Sequence, residues 1–175
     1  MVVVLLGGYA WSSYNGLVGL NEKADAQWAQ VESQYQRRFD LIPNLVNSVK
    51  GIMAQEQSIF TAIADARTKY AGAVTTNEKA VAAGEVESAL SRLLVIMENY
   101  PTLNSSANVR DLMSQLEGTE NRISVERGRF NEIIRDYNST VKTFPKNIVA
   151  PMLGFRERAY FEAVEGSAAA PTVSF

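Results

Sequence analysis

Apolar residues return every third or fourth position through most of the chain. Leu17, Leu20, Ala24, Trp28, Val31, Tyr35 and Phe39 form one such stripe, the spacing of a helix that buries one face. Leu45, Val49, Ile52, Met53, Ile59, Phe60, Ile63, Ala66 and Tyr70 carry a second stripe to about Ala71. A third segment begins near Glu78, with Asn77 or a threonine before it as N-cap. It passes through Ala89, Leu90, Leu93, Leu94, Ile96 and Met97 and stops at Pro101. The fourth and longest stripe is Val109, Leu112, Leu116, Ile123, Phe130, Ile134, Tyr137, Val141 and Phe144, closed by Pro145. The pattern predicts an all-α fold, a long antiparallel helical bundle of about four helices over residues 21–144.

Two places interrupt the pattern with charge. Between the first and second stripes lies Arg37-Arg38-Phe39-Asp40-Leu41-Ile42-Pro43-Asn44. Pro43 has no N–H and its ring disfavours the helical conformation at Ile42, which predicts a break or kink near Leu41 and a new helix starting at Pro43. Arg37 and Arg38 would then close the incoming helix and Asp40 would cap the next, with Asn44 in its first turn. This is a structural corner, with a functional arginine–carboxylate site as its rival. The second interruption is on the long helix, whose seam passes through Glu120 and Arg127. Charges on a buried seam must be paired or they are costly. Arg67, Arg92 and Glu98 are the candidate partners in an internal network, and a polar ligand pocket is the alternative.

The ends differ from the middle. Val2, Val3, Val4, Leu5, Leu6, Tyr9 and Trp11 make an uncharged apolar run with Tyr14 just beyond, and lipid is the expected neighbour, since aromatic rings favour the headgroup level. Residues 1–20 are therefore expected to form a membrane-anchor segment continuous with the first helix of the bundle. The run is shorter than the roughly 20 apolar residues of a full span, so it is taken as the second half of a transmembrane helix whose beginning is absent. An apolar tail packed on the domain is the rival. Residues 145–175 are expected to form a C-terminal strap and tail, one helical turn and an extended piece around Pro151, Gly154 and Ala159-Tyr160-Phe161, lying along the bundle.

Composition narrows the chemistry. The 175 residues suit a single domain. With no histidine and no cysteine, His-based triads, imidazole or thiolate metal sites and thiol catalysis are excluded. No catalytic residue, cofactor or metal ligand is assigned; Asp40 and Glu56 are carboxylates without an evident partner. Net charge is −2 with both signs interspersed, which gives no electrostatic case for nucleic acid.

Several stretches in order resemble the LemA family: Tyr14-Asn15-Gly16-Leu17-Val18, the segment from Arg37 to Val46, Glu98-Asn99-Tyr100-Pro101, Thr119-Glu120-Asn121-Arg122-Ile123, Phe144-Pro145-Lys146-Asn147-Ile148-Val149-Ala150, Tyr160-Phe161-Glu162 and a closing Ala-Pro-x-Val-x-Phe. The resemblance covers essentially the whole chain. It implies a bacterial, single-pass membrane protein with a long helical bundle and no established enzyme activity, in a family linked to magnetosome membranes. The expected function is a non-enzymatic, membrane-anchored interaction or scaffold module. Lipid is bound through the N-terminal helix, and protein partners or self-association engage the bundle. A small-ligand or lipid-binding bundle with an internal charged pocket is the alternative.

Overall fold

A computed structural model describes residues 1–161. Among them every regular element is a helix: α1 Val2–Val49, α2 Gln57–Gly72, α3 Thr76–Met97, α4 Pro101–Ser105, α5 Ala107–Lys142 and α6 Lys146–Met152. They divide into two compact units. One holds Met1–Ser33 and Ser124–Phe161; the other holds Gln34–Ile123. α1 and α5 each contribute to both, and the expected anchor segment 1–20 falls in the same unit as the strap from residue 145.

The corner expected at Pro43 is not there. α1 runs through Pro43 without interruption and ends at Val49, and the chain turns instead at Lys50-Gly51, where Ile52 and Met53 both donate to the Val49 carbonyl. A mid-helix proline costs roughly 3 kcal/mol. Against this, breaking the helix at Leu41 would take Ile42, Leu45 and Val49, each 1% exposed or less, out of a stripe already set by Val31, Tyr35 and Phe39. Each of those side chains contributes about 1.5–3 kcal/mol on burial, so continuity wins. Arg37 and Arg38 are accordingly interior helical residues. Asp40 caps nothing and accepts from Gln36 Nε2 at 2.8 Å, while the Asn44 carbonyl accepts from Ser48 Oγ. The second helix is 16 residues long, about 24 Å, and starts at Gln57 rather than Pro43.

In the unit Gln34–Ile123, α2 packs on α3. α3 starts with a capping box: the Thr75 hydroxyl accepts from Glu78 N, and the Glu78 carboxylate accepts from Thr75 N and Val74 N at 3.0 Å each. Those backbone donors hold the Glu78 carboxyl below its ordinary 4.5. Its buried face is Ala82, Ala83, Val86, Ala89, Leu90, Leu93 and Met97, small near the start and larger toward the end. Tyr35, Phe39 and Tyr70 form a ring cluster, with Phe39 edge-on to Tyr70 at 4.5 Å.

In the other unit Leu17, Tyr137, Val141 and Ala150 form a core with Leu20 and Phe155 against it. Trp28 meets Phe130 edge-on at 5.3 Å and Phe161 at 6.0 Å. A short helix precedes an extended piece: α6 ends at Met152 and Gly154 turns the chain at φ +85°, a conformation cheap only for glycine. Residues 155–161 follow without helical bonds. The tail from 162 onward, expected to pack on the bundle, lies outside the described residues.

Candidate functional site

Arg38 is 8% exposed, and the stripe that continues through Pro43 puts it there, one position before Phe39. Its Nη1 donates to Glu120 Oε2 on α5 and lies 3.7 Å from Glu87 Oε1 on α3, so one nitrogen serves two carboxylates. The Tyr35 hydroxyl donates to the same Glu87 oxygen at 3.2 Å. Arg38 Nε and, one helical turn earlier, Gln34 Oε1 are buried without hydrogen-bond partners. Two acids around a single guanidinium tie three helices of the unit together. The arrangement supplies register more than reactivity, because the cation is engaged by its own chain.

This is where the sequence-level charge network goes. Glu120 pairs with Arg38, a residue of the expected corner, and Glu87, which the heptad seam does not mark, stands 3.7 Å from the same guanidinium nitrogen. Arg92 and Glu98 are exposed and Arg67 is half-buried. Arg127, in the other unit, stacks over the Phe161 ring at 4.1 Å, a cation–π contact. Among the described residues no group of three or more acids is placed to hold a metal.

The second polar assembly grips the extended segment. Asn138 Nδ2 donates to the Arg158 carbonyl at 2.8 Å, and its Oδ1 accepts from Arg158 N at 2.9 Å. Asn131 does the same to Phe161, at 2.9 and 2.7 Å. Each amide thus offers an extended residue the donor and acceptor that a neighbouring strand would offer. The registers match: seven residues of helix rise about 10.5 Å, and three extended residues span about 10 Å. The Tyr137 hydroxyl donates to the Arg156 carbonyl at 2.9 Å, and burial pushes this phenol above its ordinary 10 against the opposing pull of the Arg158 cation. The Arg158 side chain reaches Asp25 at 2.7 Å and Asn21 at 2.9 Å. Hydrophobic periodicity cannot see this clasp. Its trace in the sequence is the pair Phe130-Asn131 and Tyr137-Asn138, an aromatic-asparagine doublet repeated at seven residues.

At the start of α1, Val4, Leu5 and Trp11 are 65–76% exposed and Tyr14 is 47% exposed. Tyr9 is half-buried, and the side chains of Val2, Val3 and Leu6 lie outside what is described. Val4, Leu5 and Trp11 are therefore not packed onto their own unit; among the described side chains burial starts at Ser13 and Leu17. Among the described residues no helix is long and apolar enough to cross a membrane, so the single-pass anchor expected over residues 1–20 has no span to rest on.

A sequence model of the LemA family matches residues 27–175. The chain is similar to magnetosome proteins MamQ 1 and MamQ 2 of Paramagnetospirillum magneticum, each 29% identical over 85% of this chain and 64% of the relative. Magnetosome protein MamQ of Magnetospirillum gryphiswaldense is similar to the same extent. The chain spans 64% of the length of these curated relatives.

Proposed function

Since the chain belongs to the LemA family, we propose that it is a non-enzymatic, membrane-associated interaction module of a bacterium. The first turns of α1 contact lipid, and the helical units present surfaces to protein partners, further copies of the chain among them. The supporting observation is the exposure of Val4, Leu5 and Trp11 on a helix with no Asp, Glu, Lys or Arg before Glu22. Exposed apolar side chains in such a concentration mark a contact with lipid or protein, and the flanking Tyr9, Trp11 and Tyr14 suit the interface. The segment's place at a membrane interface is part of the proposal, as is the association with an organelle that the MamQ names carry.

Flotation of the full chain with phosphatidylcholine–phosphatidylglycerol vesicles tests it. The chain is expected to float, and the V4S/L5S/W11S variant to stay at the bottom. Wild-type chain left at the bottom with its helicity intact overturns the reading. Crosslinking in membranes that traps only monomers would remove self-association.

A further inference from the structure

Large apolar side chains are exposed at a second place in the same unit, far from the N-terminus in sequence. Phe144, in the turn before α6, is 75% exposed; Ile148 and Met152, one helical turn apart on α6, are 58% and 82% exposed. The other side of α6 is fully engaged: Ala150 is 0% exposed and packs with Leu17, Tyr137 and Val141. That core sets the level of the corner along α1. Ala150 clusters with Leu17, and Phe155 meets the Tyr14 ring at 5.8 Å, so α6 lies beside residues 14–17. Trp11 is six residues before Leu17, about 9 Å along the helix. With α1 entering the interface end-on, contact at Trp11 brings the corner to within about 9 Å of the same depth, the headgroup level.

Charge points the same way. From Thr143 to Arg156 there is no Asp or Glu, while Lys146 and Arg156 are both present. At either side the acid Glu157 is engaged by Lys142 at 2.7 Å, and Arg158 by Asp25. In a chain of net charge −2 the corner carries a local positive excess around three apolar side chains, the combination that anionic lipid surfaces attract.

We propose that the α5–α6 corner is a second lipid-contacting surface, with Phe144, Ile148 and Met152 inserted at the boundary of headgroups and acyl chains and Lys146 and Arg156 at its rim on anionic phosphates. It rests on the membrane association proposed above and adds to it a fixed orientation: two contacts on one rigid core cannot roll as a lone helix can.

The chain has no cysteine, so single cysteines can carry an environment-sensitive fluorophore in the full-length protein. Labels at I148C and M152C, with W11C as reporter of the N-terminal contact and V95C as an exposed control, are read in phosphatidylcholine–phosphatidylglycerol vesicles with brominated acyl chains. Positions 148 and 152 are expected to brighten several-fold, shift to the blue and be quenched by bromine, with no change at position 95. K146Q/R156Q should weaken the quenching at position 152 by about thirtyfold in apparent partition, two surface charges' worth, and only in anionic vesicles. Quenching at position 11 with water-like emission at 148 and 152 overturns the corner and leaves the membrane reading standing. Water-like emission at all three overturns both. A blue shift at 148 and 152 that needs no lipid and grows with protein concentration overturns it in favour of a second copy.

Discussion

The two units bury polarity by opposite means. In Gln34–Ile123 the largest buried polar group is an ion: Arg38 is answered by Glu87 and Glu120, and its Nε is left without a partner. In the unit that carries the strap it is a neutral amide: Asn138, 3% exposed, gives both donor and acceptor to Arg158, and Asn131 repeats this on Phe161. An amide facing extended backbone can be satisfied completely at little desolvation cost, whereas an ion must be matched in charge as well as hydrogen bonds. The difference teaches what each buys in the fold. The ion fixes which helices meet; the amides fix one residue-by-residue register of a segment with no secondary structure of its own.

The most severe way to break the first arrangement is Arg38→Met. It leaves two acids facing each other, one only 23% exposed, and should cost about 3 kcal/mol of stability in urea unfolding, the lower end for a broken buried pair because Glu120 is 44% exposed. If the ion specifies register without adding stability, R38M/E87L/E120L should return to within about 1 kcal/mol of the parent. A triple variant no more stable than R38M would mean that the pairs themselves hold the unit.

Breaking the second arrangement is expected to be smaller and local. Asn138→Ala strands the N–H and carbonyl of Arg158, about 2 kcal/mol, and the strap rather than the unit should open. Tryptic cleavage after Arg156 and Arg158 should accelerate about thirtyfold if it tracks the open population, with the urea midpoint shifting little. Asn131→Ala should do less, since that side chain is only half-buried. Equal and global losses from both would show that the strap is part of the cooperative core.

What could be read in advance follows the same division. The stripes from Leu17 to Phe39 and from Val109 to Val141 report directly on burial, because a 3.6-residue repeat is a property of one segment. Pro43 is a misleading signal because the local rule takes no account of the stripe that continues beyond it to Val49. Glu120 announced itself by standing on an apolar seam, but its partner could not be named, since pairing between helices depends on packing that spacing does not encode. The asparagine clasp was missed for a different reason: it carries no hydrophobic signal, and only the repeated aromatic-asparagine doublet marks it. At the N-terminus the apolar run is legible; that Val4, Leu5 and Trp11 stay exposed in the folded chain requires the structure.

The finest contrast is in pH, where the units should weaken at opposite ends of the scale. Tyr137 is protonated at neutral pH and its pKa is raised by burial, so the folded unit binds the phenolic proton more tightly than the unfolded chain. Its contribution is complete below about pH 10 and is lost as pH climbs through the raised value. Glu78 runs the other way. Its pKa is lowered by the Thr75 and Val74 N–H groups, so the capping box of α3 contributes fully above about pH 4.5 and fades as pH falls through the depressed value. Hydrogen exchange at the Arg158 and Phe161 amides should therefore show extra opening above pH 10 that Tyr137→Phe abolishes. The first turn of α3 should fray in acid, and Glu78→Gln should flatten that dependence. Alkaline opening that survives Tyr137→Phe would move the sensitivity to another group, and with it the claim that this phenol, rather than the amides alone, closes the clasp.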